Sequence, residues 1–298
     1  MRYETGTLTK IATTFEEFVQ TAIKIGDENE TSHDKVTKRS SSQRSEFFGD
    51  AHTFDEMVKR CYDGYNAKSI ANQRDVIAGL IDYERPRDEL RFTGDALDVP
   101  TYLSGDMRCF WSDDGTGQGR PKMHITFSCN TTAGYDVEYL NHGGCIAVLC
   151  DALSDWADTK ITTTIINTGV FASKGLQAIE LKDYSEPIDV PRIGAVTHMS
   201  FFRRMGFAWF EGFHKVSGVA YDNTYGSSMT GDDRHIVVSD KEFCDWIRVS
   251  PDEIVIDLPA ANDSGLFGTP ESAAKWLADT MRKIRTEFDN GSRHIKLF

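Results

Sequence analysis

From Lys122 to Asp158 the chain passes through two changes of hydrophobic rhythm. Met123-His124-Ile125-Thr126-Phe127 reads as a strand, and small polar residues from Ser128 to Thr132 follow it. Cys145, Leu149, Ala152, Leu153 and Trp156 then recur at i, i+4, i+7, i+8 and i+11, which places them on one face of a helix. The β-rich run Ile161 to Phe171 comes next. A strand, a helix and a strand in that order predict parallel strands covered by the helix.

Other segments carry equally local signals. Thr14 stands three residues before Glu17 and Thr53 three before Glu56, the spacing at which an N-cap hydroxyl and a glutamate satisfy each other's backbone amides. Apolar residues follow each pair at helical spacing: Phe15, Phe18, Val19, Ala22 and Ile23, then Phe54, Met57, Val58, Cys61 and Tyr62. Gly26 and Gly64 close the two helices. A third helix is expected over Ser69 to Glu84, with Ile70, Ile77, Leu80 and Ile81 inward, and a fourth over Ile193 to Met205. Strands are expected at Leu176 to Leu181, His235 to Val238 and Glu253 to Leu258. Thr269-Pro270-Glu271 opens a last helix with an N-cap and a first-turn proline, and Ala273, Leu277, Met281, Ile284 and Phe288 form its buried stripe.

Together these elements predict an α/β protein with a mainly parallel or mixed central sheet flanked by helices. The natural partition is a helical N-terminal region over residues 1–100 and an α/β core over 101–298. Within the first, residues 27–45 contain almost no large apolar side chain and read as a mobile arm. Its second half is basic, with Lys35, Lys38, Arg39 and Arg44.

Composition narrows the function only a little. The 298 residues are 40% hydrophobic and 27% charged, ordinary for a globular protein. A net charge of −13 disfavours diffuse binding to nucleic acid or anionic membrane but leaves room for a local basic groove. No apolar run is long enough to span a bilayer, and the first ten residues lack the apolar core of a secretory signal. Cys61, Cys109, Cys129, Cys145, Cys150 and Cys244 form no C-x-x-C pair, so buried reduced thiols are expected.

Several candidate chemistries fail on their own terms. Gly115, Gly117 and Gly119 precede a strand, whereas a phosphate loop must follow one. Gly226 to Gly231 continues into Asp232 and Asp233 where lysine and a hydroxyl residue belong. Ser128-Cys129-Asn130-Thr131-Thr132 resembles the metal-gripping strand end of von Willebrand type A domains, but Ser128 replaces the aspartate that holds the cation. His142, Cys145 and Cys150 lack a second ligand pair for zinc. No metal and no cofactor are expected. Cations and aromatic rings remain: the arm; Arg120 and Lys122 beside Trp111; and Arg203, Arg204 and Lys215 interleaved with Phe201, Phe202, Phe207, Trp209, Phe210 and Phe213. Such groups neutralise phosphates and stack unpaired bases.

Three phrases, taken as a set, resemble one family. They are Phe48-Gly49 with Phe54-Asp55-Glu56 and Gly64; Gly94, Asp98-Val99-Pro100, Tyr102-Leu103 and Gly105-Asp106; and Ala133-Gly134 followed by Gly144 to Leu149 and Asp151-Ala152-Leu153. Over Phe47 to Phe207 the chain is similar to largely uncharacterised proteins of tailed phages and prophages. Gly143 departs from the arginine common there. Within that group it resembles the single-stranded DNA-binding RNA polymerase cofactors of lytic phages. This resemblance implies a non-enzymatic protein in the cytoplasm of the infected bacterium that holds melted promoter DNA and recruits the phage RNA polymerase. The expected DNA contacts are Lys35, Lys38, Arg39, Arg44, Arg120, Lys122, Arg203, Arg204, Lys215, Trp111 and Trp209. A homo-oligomer is compatible with the sequence. Two rivals stand beside this reading: an interaction scaffold built on a metal-free von Willebrand type A-like fold, and a metal-dependent nuclease using acids around Asp106 to Asp114.

Overall fold

The computed structural model describes residues 2–4, 8–28, 51–63, 67–80, 96–97, 110–111, 121–130, 138–154, 157–167, 174–209, 240–247, 249–250, 253–259 and 265–297. Strands β1 (Arg2–Glu4) and β2 (Leu8–Thr14) lead into α1 (Phe15–Glu28). Helices α2 (Phe54–Asp63) and α3 (Ala67–Leu80) follow, then a two-stranded ribbon of β3 (Ala96–Leu97) and β4 (Phe110–Trp111). The expected β-α-β unit comes next as β5 (Lys122–Ser128), α4 (Glu138–Ser154) and β6 (Asp158–Asn167), with β5 and β6 parallel. β7 (Lys174–Lys182) returns antiparallel to β6. The remainder is α5 (Val190–Thr197), α6 (Asp240–Trp246), β8 (Ile254–Asp257), α7 (Pro270–Asp289) and β9 (His294–Lys296).

Among the described residues the main sheet has the order β1-β2-β7-β6-β5-β8-β9 and is mixed. The N-terminal region is therefore not purely helical, because β2 pairs in parallel with β7 and so joins the central sheet. Its helices share the main core as well: Phe15, Phe18, Phe54, Met57 and Ile77 lie in one apolar cluster with Ile125, Phe127, Leu149 and Leu277. The basic arm and the expected strand at His235 to Val238 lie outside the described residues.

Local signals are realised in detail. Thr14 Oγ1 accepts from the Glu17 amide at 3.2 Å while Glu17 Oε2 accepts from the Thr14 amide at 3.1 Å, and Thr53 and Glu56 repeat the exchange. Thr269 caps α7 by accepting from the Ser272 amide at 3.2 Å, with Pro270 in the first turn. The helix expected over Ile193 to Met205 is broken instead. α5 ends at His198, whose backbone is extended, and Phe201–Gly206 winds as a π-helix.

Side chains alternate between the two faces of the sheet. Met123, Ile125, Phe127, Ile161, Ile165, Ile179, Ile256 and Ile295 belong to the large core that α1, α4, α5 and α7 cover. The opposite face carries a smaller cluster, in which Phe243, Trp246 and Ile247, from α6 and the turn after it, pack on Ala178 and Val255. α3 forms an outer layer over α4. Contact there is close because α4 presents Gly144: a Cβ at that position would lie 3.2 Å from Ile77 Cδ1 and 3.3 Å from the Arg74 backbone nitrogen.

The two crossovers on this face differ from those of an ordinary doubly wound sheet. The crossovers β5-α4-β6 and β8-α7-β9 travel in opposite directions across the sheet, yet α4 and α7 lie on the same face. They are therefore of opposite hand, and one is the rare left-handed form. In an ordinary doubly wound sheet the connections diverge at this point and open a ligand crevice. Here both turn the same way and meet. Cys145 Sγ faces the carbonyl of Ala273 at 3.7 Å, and Asn141 Nδ2 donates to the carbonyl of Phe267 at 2.6 Å.

Candidate functional site

The sequence placed an unpaired strand along an aromatic and basic segment, and the fold places that segment in the interior. Arg203, Arg204 and Trp209 are at most 2% exposed, so they are not surface contacts for DNA. The reason is local. The π-helix turns Phe201, Phe202, Met205 and Phe207 into the main core and carries the two arginines with them. Trp209 stacks on Phe18 with ring centroids 5.6 Å apart and donates its Nε1 hydrogen to the Phe18 carbonyl at 3.0 Å. Its face and its polar edge are both engaged within the protein.

Arg204 has a structural task instead. Its Nε donates to the carbonyl of Ala51 at 3.1 Å and its Nη2 to that of His52 at 2.8 Å. Ser200 Oγ accepts from the Ala51 amide at 3.3 Å. These bonds fix the chain just before α2. Burial lowers the guanidinium pKa to about 10, against the opposing pull of Glu56. Replacing Arg204 with methionine would keep the apolar stem and leave the buried Ala51 carbonyl and the part-buried His52 carbonyl without this donor. The expected cost is about 2–4 kcal/mol, measurable as a lower midpoint in urea unfolding.

The other expected contacts are not brought together. Lys122 is exposed at the start of β5, with Nζ 5.4 Å from the centroid of the Tyr184 ring. Trp111 belongs to the β3–β4 ribbon, with its side chain outside the described part. Lys35, Lys38, Arg39, Arg44, Arg120 and Lys215 lie outside the described residues.

Polar groups are gathered at the carboxyl ends of β5 and β8: Ser128 and His142, which the sequence offered and set aside as metal ligands, and Asp257 and Thr126, which it did not single out. Asp257, fully buried at the end of β8, accepts from Thr126 Oγ1 at 2.7 Å. Asp257 Oδ2 lies 3.9 Å from His294 Nε2. Ser128 Oγ accepts from the Asn130 amide at 3.3 Å. His142 sits edge-on to Phe127 and Phe267, with Nε2 3.0 Å from the carbonyl of Pro259. A carbonyl only accepts, so this nitrogen carries the ring proton; burial lowers the imidazole pKa to about 4. His142 thus ties α4 to the chain leaving β8. The clue available in sequence was an acid closing an apolar strand, Ile254-Val255-Ile256-Asp257.

The described cysteines are free, and all but Cys244 are buried. Burial pushes the Cys129 thiol up to about 12 and raises Cys61 and Cys145 as well, which keeps them protonated and poor nucleophiles. Among the described residues no group of three His, Cys, Asp or Glu side chains is placed to hold a metal ion, and no helix is long and apolar enough to cross a membrane.

A family model described as a domain of unknown function (DUF7192) matches residues 11–257. The chain belongs to the DUF7192 family. No curated protein and no solved structure matches it. No named relative therefore ties this DUF7192 protein to the DNA-binding cofactors of phages. The family match begins in β2 and stops at the last residue of β8, so α7 and β9 lie beyond it.

Proposed function

We propose that this DUF7192 protein is a non-enzymatic interaction scaffold that docks a protein partner on its outer helical layer. The observation that carries the reading is the exposure of Val76 and Leu80, 48% and 49%, one turn apart on the same face of α3. Tyr62, at the end of α2, is 52% exposed, and these three are the exposed large apolar side chains among the described residues. Elsewhere the described apolar side chains are drawn into the two cores. Adjacent apolar groups left in water on an outer helix are what a partner's surface would cover. The protonated thiols give no comparable support to a catalytic reading.

The competing reading is a phage single-stranded DNA-binding cofactor that recruits RNA polymerase in the infected cytoplasm. It keeps the basic arm and Lys122 but not Arg203, Arg204 or Trp209. One pair of measurements separates the two. The full chain carrying Val76→Glu and Leu80→Lys should unfold within about 0.5 kcal/mol of the parent, since both side chains are exposed. Its retention of the partner that the parent captures stoichiometrically should fall at least about tenfold. Unchanged capture would remove α3 as the docking face. Fluorescence titration with oligothymidylate should show no quenching. Quenching that weakens with salt at a log–log slope of roughly −3.5, as expected for about five neutralised phosphates, would favour the DNA reading.

A further inference from the structure

Given the docking face proposed above, we infer that its occupant is a second copy of this chain, paired about a two-fold axis beside the turn of α3 from Val76 to Leu80. Val76, Gly79 and Leu80 lie within about 100° of the helix circumference, and all three are exposed. The helical pattern set Leu80 inward with Ile77, and the structure corrects this. Ile77 takes the inward place against Gly144 of α4, and Leu80 is turned about 60° away from it.

Gly79 has no explanation inside the protomer. Its backbone is not left-handed, since the described glycines with positive φ are Gly265 and Gly291. A Cβ added at 79 would meet nothing within 4 Å, whereas one at Gly144 would press on α3. A glycine inside a helix weakens it relative to alanine, and the protomer gives nothing in return at this position. What the bare backbone does offer is close approach from outside, between two apolar side chains that water would otherwise cover.

Charge favours a copy over other partners. Residues 54–80, which include α2 and α3, hold four acids (Asp55, Glu56, Asp63, Asp75) and four bases (Lys59, Arg60, Lys68, Arg74), so the net charge of −13 lies wholly outside them. Lys59 pairs with Asp63 at 3.8 Å and Arg74 with Asp75 at 3.0 Å. A strongly basic or acidic partner would respond to the charge of the remaining chain more than to this layer. Two copies can join their neutral layers while the excess negative charge of each is kept at a distance and screened.

The strip is also complementary to itself. In a two-fold pair every contact is repeated, residue i on j and j on i. With the two α3 helices antiparallel, Val76 of one copy falls between Gly79 and Leu80 of the other, and the second Val76 does the same. Each valine fills the space that a glycine leaves open. Arg74 and Asp75, already neutralised by one another, stand at the margin. The patch is small, so the dimer is weak, with a dissociation constant of roughly 1–100 µM.

Sedimentation equilibrium of the full chain between about 1 and 200 µM should show monomer and dimer in exchange. Gly79→Gln should raise the dissociation constant at least about tenfold. Its urea midpoint below about 0.5 µM, where the chain is monomeric, should rise because the helix is strengthened. Damage to α3 would instead weaken the dimer and lower the midpoint together. Two double variants at exposed positions read the pairing itself: Val76→Lys with Leu80→Lys, and Val76→Glu with Leu80→Glu. Each alone should be monomeric, since the two-fold axis gathers four like charges, and an equimolar mixture should form a heterodimer. A parent chain still monomeric at about 200 µM overturns the second copy and leaves the docking face to its own capture experiment. A dimer that keeps its affinity in Gly79→Gln, one that persists in the like-charge variants, or a mixture that stays monomeric would overturn the pairing as well.

Discussion

Ending the chain after Pro259 is expected to abolish cooperative folding, although all of the family-matched region would be retained. The deletion removes α7 and β9. Leu277, Ile284, Ile295 and Leu297 are at most 8% exposed and belong to the same core as Phe127 and Leu149. Losing one such side chain costs about 2–5 kcal/mol. Four together exceed most of the roughly 5–15 kcal/mol by which a domain is stable. Polar groups would be stranded as well, since Asn141 Nδ2 loses the Phe267 carbonyl and β8 loses its parallel neighbour. A far-UV circular dichroism melt with gel filtration reads the result. A sharp melt from residues 1–259 would show that the matched segment is a complete folding unit and that the last crossover is an attachment.

Gly144→Val should be the most damaging single substitution in the α3–α4 contact. A Cβ at 144 meets Ile77 Cδ1 at 3.2 Å, and the Arg74 nitrogen and Gln73 Cγ each at 3.3 Å. One of these is backbone, so α3 as a whole must move. Two further methyl carbons enlarge the displacement and loosen the bond from Gln73 Nε2 to Asn141 Oδ1, through which α3 also reaches the β8–α7 connection. Overpacking of this kind costs about 1–3 kcal/mol, offset in part by the gain of roughly 0.5 kcal/mol from replacing a helical glycine. Gly144→Ala should fall near neutrality, because its smaller clash and its helix-propensity gain are similar in size. Gly79→Ala serves as the control on the neighbouring helix: nothing lies within 4 Å of its added Cβ, so it should stabilise the protein by about 0.5–1 kcal/mol. Urea unfolding of the three variants should rank them in that order. A valine variant as stable as the parent would mean that α3 does not rest on α4 through this glycine.

Local pattern determined the pieces. Two Thr-x-x-Glu pairs, one Thr-Pro helix start, the strand from Met123 to Phe127 and the helix carrying Cys145 and Leu149 were all legible, because each signal is complete within one or two turns of chain. From these the α/β class followed directly, with the sheet left as mainly parallel or mixed until the antiparallel pairing of β6 and β7 decided it. Tertiary structure decided what the same residues are for. Phe201 to Trp209 has the composition of a base-stacking groove and the burial of a core, and composition alone does not separate the two. Its aromatics are inside because a π-helical turn faces them toward α1 and β6, a relation between segments far apart in sequence. The entry of β2 into the sheet and the opposite hands of the two crossovers have the same character. Each depends on which distant segment becomes a neighbour, and no periodicity within a single segment records that.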